Sequence, residues 1–264
     1  MNHFAYNYHT HTTRCGHASG KDEEYVLKAI KANYKRLGFS DHVMLPGITQ
    51  IGMRGKYEEL EGYVSSIRHL EQNYKEKISI KLGFECEWYG NAYKDYYADL
   101  LASKKVDYLI LGQHCFLENA YPKFYARLED VDKAERMYVN DLIEAMESGL
   151  FSYVCHPDLF IQFAGVRPAF KEDSYRIAKA AKANHLPLEI NLAPSRYMGF
   201  PPLEAPYFKT YPFPPFWEIV KEVGNEIVVG VDAHNPEDFL STDYESLQQF
   251  ISFLGLKVND DFKI

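Results

Sequence analysis

The sequence has few cysteines, no long apolar run and no excess of basic residues. Its four cysteines, Cys15, Cys86, Cys115 and Cys155, form no Cys-x-x-Cys pair, so a disulfide framework is not indicated and a thiolate-rich metal site is the weaker alternative. No run of about 18 apolar residues is present, which argues against a membrane-spanning helix. The first residues lack a basic start followed by an apolar core, so no signal peptide and a cytoplasmic location are expected.

The charge balance disfavours one large class of partners. The formal net charge is −8, and a surface of that sign repels phosphate backbones, so no nucleic-acid partner is expected. A small anionic substrate remains compatible, because a metal ion can reverse the sign of a pocket. With 264 residues, 46% of them hydrophobic, the chain can bury a sizeable core, and we predict a single domain over residues 1–264.

Short apolar runs alternate with longer segments of helical spacing, which predicts an α/β fold with parallel strands. The predicted strands are residues 4–8, 36–40, 78–86, 107–112, 151–155, 187–192 and 226–231. The predicted helices are residues 23–34, 57–75, 92–105, 130–147, 171–184 and 236–254. Seven such units favour a closed or nearly closed barrel, with a doubly wound open sheet as the competing architecture.

Residues 194–217 hold seven prolines and many aromatic residues. Because proline fixes φ and lacks an N–H donor, the segment is expected to be neither a central strand nor a helix interior. It could form a wall or lid of a site, with Tyr197, Tyr211 and Phe213 around a substrate ring, or simply pack on the barrel.

Residues able to bind metal recur where the predicted strands end. Seven of the ten histidines lie there, and parallel α/β folds gather these strand ends at one face. The set comprises His9, His11, His17, Asp41, His42, Glu85, Glu87, His114, His156, Asp158, Glu189, Asn191, Asp232 and His234. Since strand neighbours point to opposite faces, Cys86, Cys115 and Cys155 are expected to face the helix layer as small buried hydrophobic residues.

Imidazole and carboxylate ligands suit Zn²⁺, Mn²⁺ or Fe²⁺, and this set exceeds what one ion can use. Several ions would supply hydroxide near neutral pH and neutralise charge on phosphoryl oxygens, which is the chemistry of phosphate-ester hydrolysis. Arg196 follows the sixth predicted strand and is a candidate phosphate ligand, although a surface cation is an equal alternative. Asp158 is a candidate proton donor to the leaving alcohol or a ligand of the substrate's amine, with a backbone hydrogen bond at the strand end as the equal alternative.

Taken together, the motifs HTHTTRCGH, FSDH, GFECEW, GQH, CHPD and GVDAH resemble the PHP (polymerase and histidinol phosphatase) superfamily. They occur in family order between residues 9 and 234. The resemblance implies a distorted (β/α)7 barrel, similar to a TIM barrel, with three divalent metal ions at the strand ends.

Carried onto this sequence, the resemblance implies three ligand sets. His9, His11, Glu85 and Asp232 would hold the first ion. Glu85, His114 and His156 would hold the second, and His17, His42 and His234 the third. A hydroxide bridging the first two ions would be the nucleophile.

Within the superfamily, the chain is most similar to the stand-alone histidinol-phosphate phosphatases of histidine biosynthesis. This implies hydrolysis of L-histidinol phosphate to L-histidinol and phosphate, with Ser195, Arg196 and Arg167 as predicted substrate contacts. Members of the branch often carry a second arginine soon after the His-x-Asp motif, where this chain has Gln162. Arg167, Arg54 or Arg14 could substitute, or the substrate could be another small phosphate ester or a nucleotide. A metal-storage or sensor module is the non-enzymatic alternative, and the oligomeric state is left open.

Overall fold

The computed structural model describes residues 4–264, and parallel β-strands form its centre. Eight strands lie in that range: β1 (Tyr6–Asn7), β2 (Arg36–His42), β3 (Ser79–Cys86), β4 (Tyr108–Leu111), β5 (Cys115–Glu118), β6 (Tyr121–Phe124), β7 (Leu188–Asn191) and β8 (Ile227–Gly230). The same range contains ten α-helices: α1 (Asp22–Lys31), α2 (Leu60–Tyr74), α3 (Lys94–Ala102), α4 (Val131–Glu147), α5 (Phe160–Ala164), α6 (Phe170–Ala183), α7 (Ala193–Met198), α8 (Pro214–Val223), α9 (Asp238–Ser241) and α10 (Tyr244–Leu254).

The parallel strands close into a ring. Strands β1, β2, β3 and β4 pair in sequence order, and β7 pairs with β8. Val154 bridges the two sheets, because it pairs with Leu111 on one side and with Leu188 on the other. A parallel bridge between Thr10 and Ala233 joins the end of β8 to the end of β1. The predicted distorted (β/α)7 barrel is therefore confirmed, and the open-sheet alternative is not needed.

The distortion is concentrated at the fifth strand position. Residues 151–155 were predicted as a strand, but only Val154 forms β-bridges there. Its N–H donates to Pro187 O at 3.0 Å and its carbonyl accepts from Glu189 N at 2.9 Å, while Ser152 N and Cys155 N donate to Leu109 O and Leu111 O of β4. The antiparallel hairpin of β5 and β6 after β4 was not predicted, nor was the short helix α5. Segment 236–254 divides into α9 and α10 because Thr242 leaves the helical conformation.

Apolar side chains form two separate cores. The larger lies between the strands and the helices, and the smaller fills the barrel interior. The interior core consists of Tyr6, Tyr8, Tyr108, Ile110, Tyr153, Cys155 and Val228, with Phe262 and Ile264 packed against them. Gly38 makes room for this cluster, since a Cβ there would lie 2.2 Å from the Tyr108 hydroxyl.

The C-terminal tail, residues 255–264, closes the barrel at the end opposite the strand C-termini. Val258 forms a parallel bridge with Ile227, and Asp260 O accepts a hydrogen bond from Ala5 N at 2.9 Å. The Phe262 ring lies 5.8 Å from Tyr6 and 6.1 Å from Tyr153 between ring centroids. The tail thus fills the seam between β8 and β1 below the Thr10–Ala233 bridge.

The proline-rich segment is helical only at its two ends. Pro194 lies in the first turn of α7, and Pro214 and Pro215 open α8, where missing N–H donors leave no helical bond unmade. Between these helices the chain is irregular, so the expectation for its prolines is confirmed. Within residues 4–264, no helix combines the length and the apolar character needed to cross a membrane.

Candidate metal centre

The structure brings the nine predicted metal ligands together at the C-terminal end of the barrel strands. A pocket of about 170 Å³ is lined by His11, His17, His42, Met53, Glu85, His114, Asp232 and His234. His9 and His156 lie beneath its floor, with His9 Nε2 3.7 Å and His156 Nε2 2.8 Å from Glu85 Oε1. Residues separated by more than 200 positions therefore face one small volume.

Left-handed backbone at two strand ends helps to aim these side chains. His156 has φ +32° and Asp232 has φ +52°. Residues other than glycine seldom adopt this region, and they persist there when the surrounding structure fixes them. At both positions the turn follows a buried residue, Cys155 or Val231, and turns the next side chain toward Glu85 or toward the pocket.

Glu85 and Asp232 form the anionic centre of the cluster. His11 Nε2 lies 3.4 Å from Glu85 Oε2 and 3.2 Å from Asp232 Oδ1, and His9 Nε2 lies 3.4 Å from the same Asp232 oxygen. On the other side of Glu85, His114 Nε2 is 3.7 Å from Oε1. Glu85 is thus placed between the first and second predicted ligand sets.

The third predicted set is only partly assembled. His17 Nε2 and His234 Nε2 lie 2.9 Å apart, and the rings of His17 and His42 have centroids 5.6 Å apart. His42 also directs Nδ1 toward Glu85 Oε2 at 2.9 Å. Its ring therefore stands between the Glu85 carboxylate and the His17–His234 pair.

Burial and the neighbouring charges shift the pKa values of the clustered residues in opposite directions. Burial would raise the pKa of Glu85, but His42, His114 and His9 hold the pKa well below its usual range. Burial would lower the pKa of His9, but the carboxylates of Asp232, Glu189 and Glu85 raise it well above the usual value. Burial lowers the pKa of His42 to about 4. Burial would also lower the pKa of His11, but its contacts with Asp232 and Asp41 raise it to about 9.

Buried ligand atoms that make no hydrogen bond show whether a metal ion fits here. Within the described chain, His9 Nε2, Glu85 Oε2 and Asp232 Oδ1 are buried and make no hydrogen bond of good geometry, although other imidazole or carboxylate atoms of the cluster lie as near as 2.9 Å. A buried polar atom without a partner is unfavourable by about 1–3 kcal/mol, so such atoms seldom converge without a ligand. Imidazole nitrogens and carboxylate oxygens at these distances fit Zn²⁺, Mn²⁺ or Fe²⁺.

Sequence comparison places this site in a known family. A sequence model described as the PHP domain matches residues 7–193, which is more than half of the chain. The chain belongs to the PHP domain family. The match covers His9 to Glu189, while Asp232 and His234 of the same centre lie beyond it.

Two relatives of this PHP domain protein are named "Probable histidinol-phosphatase". The one from Deinococcus radiodurans is 29% identical over 232 residues, covering 86% of this chain and 85% of the relative. The one from Schizosaccharomyces pombe is 22% identical over 275 residues, covering 94% and 86%.

A solved structure shares the PHP fold of this chain. It is the histidinol phosphate phosphatase HisK of Lactococcus lactis, determined as a complex with Zn, L-histidinol and phosphate. It superposes with a TM-score of 0.71 at 20% identity, covering 96% of this chain and 95% of that one. At this identity the likeness establishes the fold.

Three carboxylates behind the PHP centre were noticed at strand ends but not assigned a role. Glu189 accepts from His9 Nδ1 at 3.1 Å, Glu87 Oε1 lies 3.4 Å from His114 Nδ1, and Asp41 Oδ1 lies 3.6 Å from His11 Nδ1. A carboxylate at Nδ1 fixes the imidazole tautomer and leaves Nε2 for a metal. The sequence signal was an acidic residue at an inward-facing position between buried hydrophobic residues, as in Leu188–Asn191.

The predicted substrate contacts occupy varied positions. The Arg196 guanidinium is only 5% exposed and lies behind Asp232, with one terminal nitrogen donating to the Asp232 carbonyl at 2.8 Å. Ser195 Oγ donates to Leu192 O at 2.7 Å, so its hydroxyl caps the local backbone. Arg167 pairs with Asp132 of α4, with Nε 2.6 Å from Oδ1, and is not among the pocket-lining residues.

The other arginines considered for phosphate are also engaged elsewhere. Arg54 is buried and bonds Glu87 at 2.9 Å, while Arg14 bonds Asp22 at 3.0 Å. Asp158 is fully buried, and its Oδ2 accepts from Phe213 N at 2.7 Å and Trp217 Nε1 at 3.0 Å. The strand-end hydrogen bond considered for Asp158 is therefore present at Oδ2, whereas Oδ1 has no partner in the described chain.

One cysteine prediction was wrong. Cys86 and Cys115 pack in the helix-facing core, as predicted, but Cys155 lies in the barrel interior, with Sγ 3.6 Å from Glu85 Oε1. The prediction assumed that Cys155 and His156 alternate like strand neighbours. The left-handed φ of His156 breaks that alternation, so both side chains face Glu85.

Proposed function

We propose that this PHP domain protein is a metal-dependent phosphomonoester hydrolase, and that L-histidinol phosphate is its substrate. The observation that carries the proposal is the convergence of nine imidazole and carboxylate side chains, with unpartnered buried donor atoms, on one pocket. The names of its relatives, and the ligands of the HisK structure that shares its fold, support the choice of substrate. Cytoplasmic localisation and hydrolysis within histidine biosynthesis belong to the same proposal.

We assign three divalent ions to the centre. His9, His11, Glu85 and Asp232 would hold the first, Glu85 with His114 and His156 the second, and His17, His42 and His234 the third. Bound ions would supply a hydroxide near neutral pH and neutralise phosphoryl charge. The mutual distances around Glu85 and Asp232 support the first two sets more fully than the third, in which His42 turns Nδ1 to Glu85.

The protein's own residues would hold the substrate and handle a proton. Arg196 donates to the carbonyls of Val231 and Asp232 and directs Nε toward Asp238 Oδ1 at 3.4 Å, and we assign the N–H groups left on its terminal nitrogens to a phosphoryl oxygen beside Asp232. Burial raises the pKa of Asp158 to about 7, so about half of the molecules carry a proton on this carboxyl at pH 7. We assign Asp158 the role of proton donor to the leaving alcohol.

Substrate contacts outside the phosphoryl group are assigned to the proline-rich segment and to residues beside the pocket. Tyr211 lies with its ring centroid 5.9 Å from that of His156 and is the aromatic residue placed to contact the substrate ring. Phe213 is buried in the helix-facing core and Tyr197 is 78% exposed, so neither faces the pocket. Contacts from Ser195 and Arg167 stay predictions, and Arg167 would first have to leave Asp132.

Steady-state kinetics test the substrate assignment. Histidinol phosphate is compared with sugar phosphates, nucleotides and a generic chromogenic phosphate ester, in the presence of Zn²⁺ or Mn²⁺. We expect kcat/KM for histidinol phosphate to exceed the others by at least about tenfold, equivalent to about 1.4 kcal/mol in transition-state binding. A preference of that size for another ester would reassign the substrate and leave the hydrolase intact.

A variant tests the centre itself. His9→Ala should reduce turnover on every ester to background while the circular dichroism spectrum is retained, because the ligand is removed without a backbone change. His69→Ala, on the outer face of α2, is the matched control and should keep full activity. Full phosphatase activity in His9→Ala would refute the assigned centre, and absence of turnover by the metal-loaded wild type would favour a storage or sensor module.

A further inference from the structure

Cys155 lies where a fourth ligand would approach the second ion of the proposed centre. Its Sγ is buried in the barrel interior, 3.6 Å from Glu85 Oε1. One candidate ligand atom from each of Cys155, Glu85, His9 and His156 lies within 4.8 Å of the others. The four residues come from three strand positions, because Cys155 and His156 are neighbours at the fifth, and all four are buried.

Buried ligand atoms around Cys155 lack hydrogen bonds, which points to a cation as their missing partner. His9 Nε2 and Glu85 Oε2 are buried and make no hydrogen bond of good geometry in residues 4–264, although Asp232 Oδ1 lies 3.4 Å from the first and His42 Nδ1 2.9 Å from the second. The thiol lies within donating distance of Leu111 O at 3.0 Å and of Glu85 Oε1 at 3.6 Å, and a metal-bound thiolate would give up both interactions. The barrel interior below is apolar and aromatic, so the cation would have to come from the pocket above.

The separation of sulfur and oxygen matches one coordination sphere. With Zn–S of about 2.3 Å and Zn–O of about 2.1 Å, a tetrahedral ion sets its sulfur and oxygen ligands about 3.6 Å apart. The Sγ to Oε1 distance in this structure is 3.6 Å. His156 Nε2, the nitrogen ligand assigned to that ion, lies 2.8 Å from the same oxygen, which is shorter than the spacing of about 3.4 Å on one tetrahedral ion, so ion binding would have to separate these two side chains.

We propose that Cys155 is a thiolate ligand of the metal centre, binding the ion shared by Glu85 and His156. On binding, the Sγ–H bond breaks, the proton leaves to solvent, and sulfur donates an electron pair to the ion. A thiolate favours Zn²⁺ over the harder Mn²⁺, so this residue would set the metal preference of the centre. The inference rests on the metal centre of the proposed function and not on the identity of the substrate.

Cobalt substitution tests the ligand directly. Metal-stripped full-length protein is loaded with Co²⁺, the bound metal is counted by elemental analysis, and the near-ultraviolet spectrum is recorded. Thiolate ligation to Co²⁺ gives a charge-transfer band that imidazole and carboxylate ligands do not give. We expect this band in the wild type and its loss in both Cys155→Ser and Cys155→Ala.

Two other cysteines provide matched controls. Cys86 follows Glu85 directly in the chain, but its side chain faces the helix layer. Cys86→Ser should therefore keep the band. Cys15→Ser is the sharper comparison, because Cys15 lies near His17 and His234. Loss of the band in Cys15→Ser with retention in the Cys155 variants would overturn the proposal.

The remaining outcomes separate this inference from the proposed function. Wild-type protein that binds Co²⁺ without the band overturns the role of Cys155 alone, and this result needs no variant to fold. Wild-type protein that binds no Co²⁺ overturns the metal centre as well. In competition titrations, Cys155→Ser should lower the ratio of Zn²⁺ to Mn²⁺ affinity by about tenfold or more, and an unchanged ratio would also contradict the proposal.

Discussion

At the scale of single residues, the centre depends on groups that never meet the pocket. Glu189 lies beneath His9, its two oxygens each 3.1 Å from Nδ1, and Asn191 donates to Oε1 at 2.8 Å. This arrangement holds the proton on Nδ1 and leaves Nε2 as the metal-binding atom. Gly112, which has no side chain, leaves the space that the Glu85 carboxylate occupies.

We expect Glu189→Gln to weaken metal binding by about 10- to 100-fold, because an amide holds the His9 tautomer less firmly than a carboxylate does. The measurement is the dissociation constant for Zn²⁺ in chelator competition. Glu226→Gln, which changes an exposed glutamate just before β8, is the control. Equal affinities in the two variants would show that Glu189 does not orient His9.

Gly112 allows Glu85 to reach its position. A Cβ at residue 112 would lie 1.9 Å from Glu85 Oε1, so Gly112→Ala must displace the carboxylate. We expect elemental analysis to show fewer bound ions per chain in this variant. Gly62→Ala, in α2 with no heavy atom within 4 Å of the added Cβ, should keep its metal and gain up to about 1 kcal/mol of stability. A full metal complement in Gly112→Ala would contradict the role given to this glycine.

At the scale of elements, helix α4 carries a pH-sensitive contact with α6. Glu135 is buried on α4, and burial, with the nearby Asp173, raises its pKa from 4.5 to about 7. A folded-state pKa above the unfolded value means that the folded state binds the proton more tightly. The resulting stabilisation is present below about pH 4.5 and is lost as the pH rises toward 7.

Glu135→Gln should therefore become more stable relative to the wild type as the pH rises from about 5 to 8, since the amide cannot ionise. Urea unfolding at several pH values measures the difference. Glu147→Gln, at the exposed end of the same helix, should show a difference that does not change with pH. If the stability difference between Glu135→Gln and the wild type does not change with pH, the pH-sensitive contact of Glu135 with α6 is contradicted.

Sequence patterns predicted elements well where burial followed a simple period. Strand β3 was predicted as 78–86 and spans Ser79–Cys86, and helix α4 was predicted as 130–147 and spans Val131–Glu147. The predicted fifth strand is reduced to one bridging residue, Val154, because Ser152, Tyr153 and Cys155 hydrogen-bond only on the β4 side. The β5–β6 hairpin failed because its turn, Glu118–Tyr121, places Asn119 and Ala120 at positive φ without the glycine that would signal it.

The ligands were predictable from sequence because strand C-termini meet at one face of a parallel barrel. Orientation was less accessible, since it depends on backbone angles at single residues. The left-handed His156 reverses the expected direction of Cys155, and the Arg196 carbonyl contacts depend on where α7 begins. Neither feature produces a periodic pattern in the sequence.

At the scale of the whole molecule, the barrel seam between β8 and β1 is completed by the C-terminal tail. We propose that residues 1–264 form a single cooperative unit, since strand pairing and tail contacts join both halves. Phe262 lies against Tyr6, Tyr8 and Tyr153 in the interior core.

Phe262→Ala should lower the free energy of unfolding by about 2 kcal/mol, because apolar area and aromatic contacts are lost together. Phe253→Ala, on α10 with its ring 50% exposed, should change it by about 0.5 kcal/mol or less. Both variants should unfold in urea in one transition. A separate early transition in Phe262→Ala would instead divide the chain into two units.

The position of Phe262 also bears on the order of events during synthesis. The ribosome makes Gly230 of β8 before it makes Phe262, and at about 5–20 residues per second roughly 2–6 seconds separate them. During this interval the tyrosine-lined interior has no aromatic plug, and water and other nascent chains can reach it. A truncated transcript that stops between these residues should therefore yield a product that needs chaperone protection.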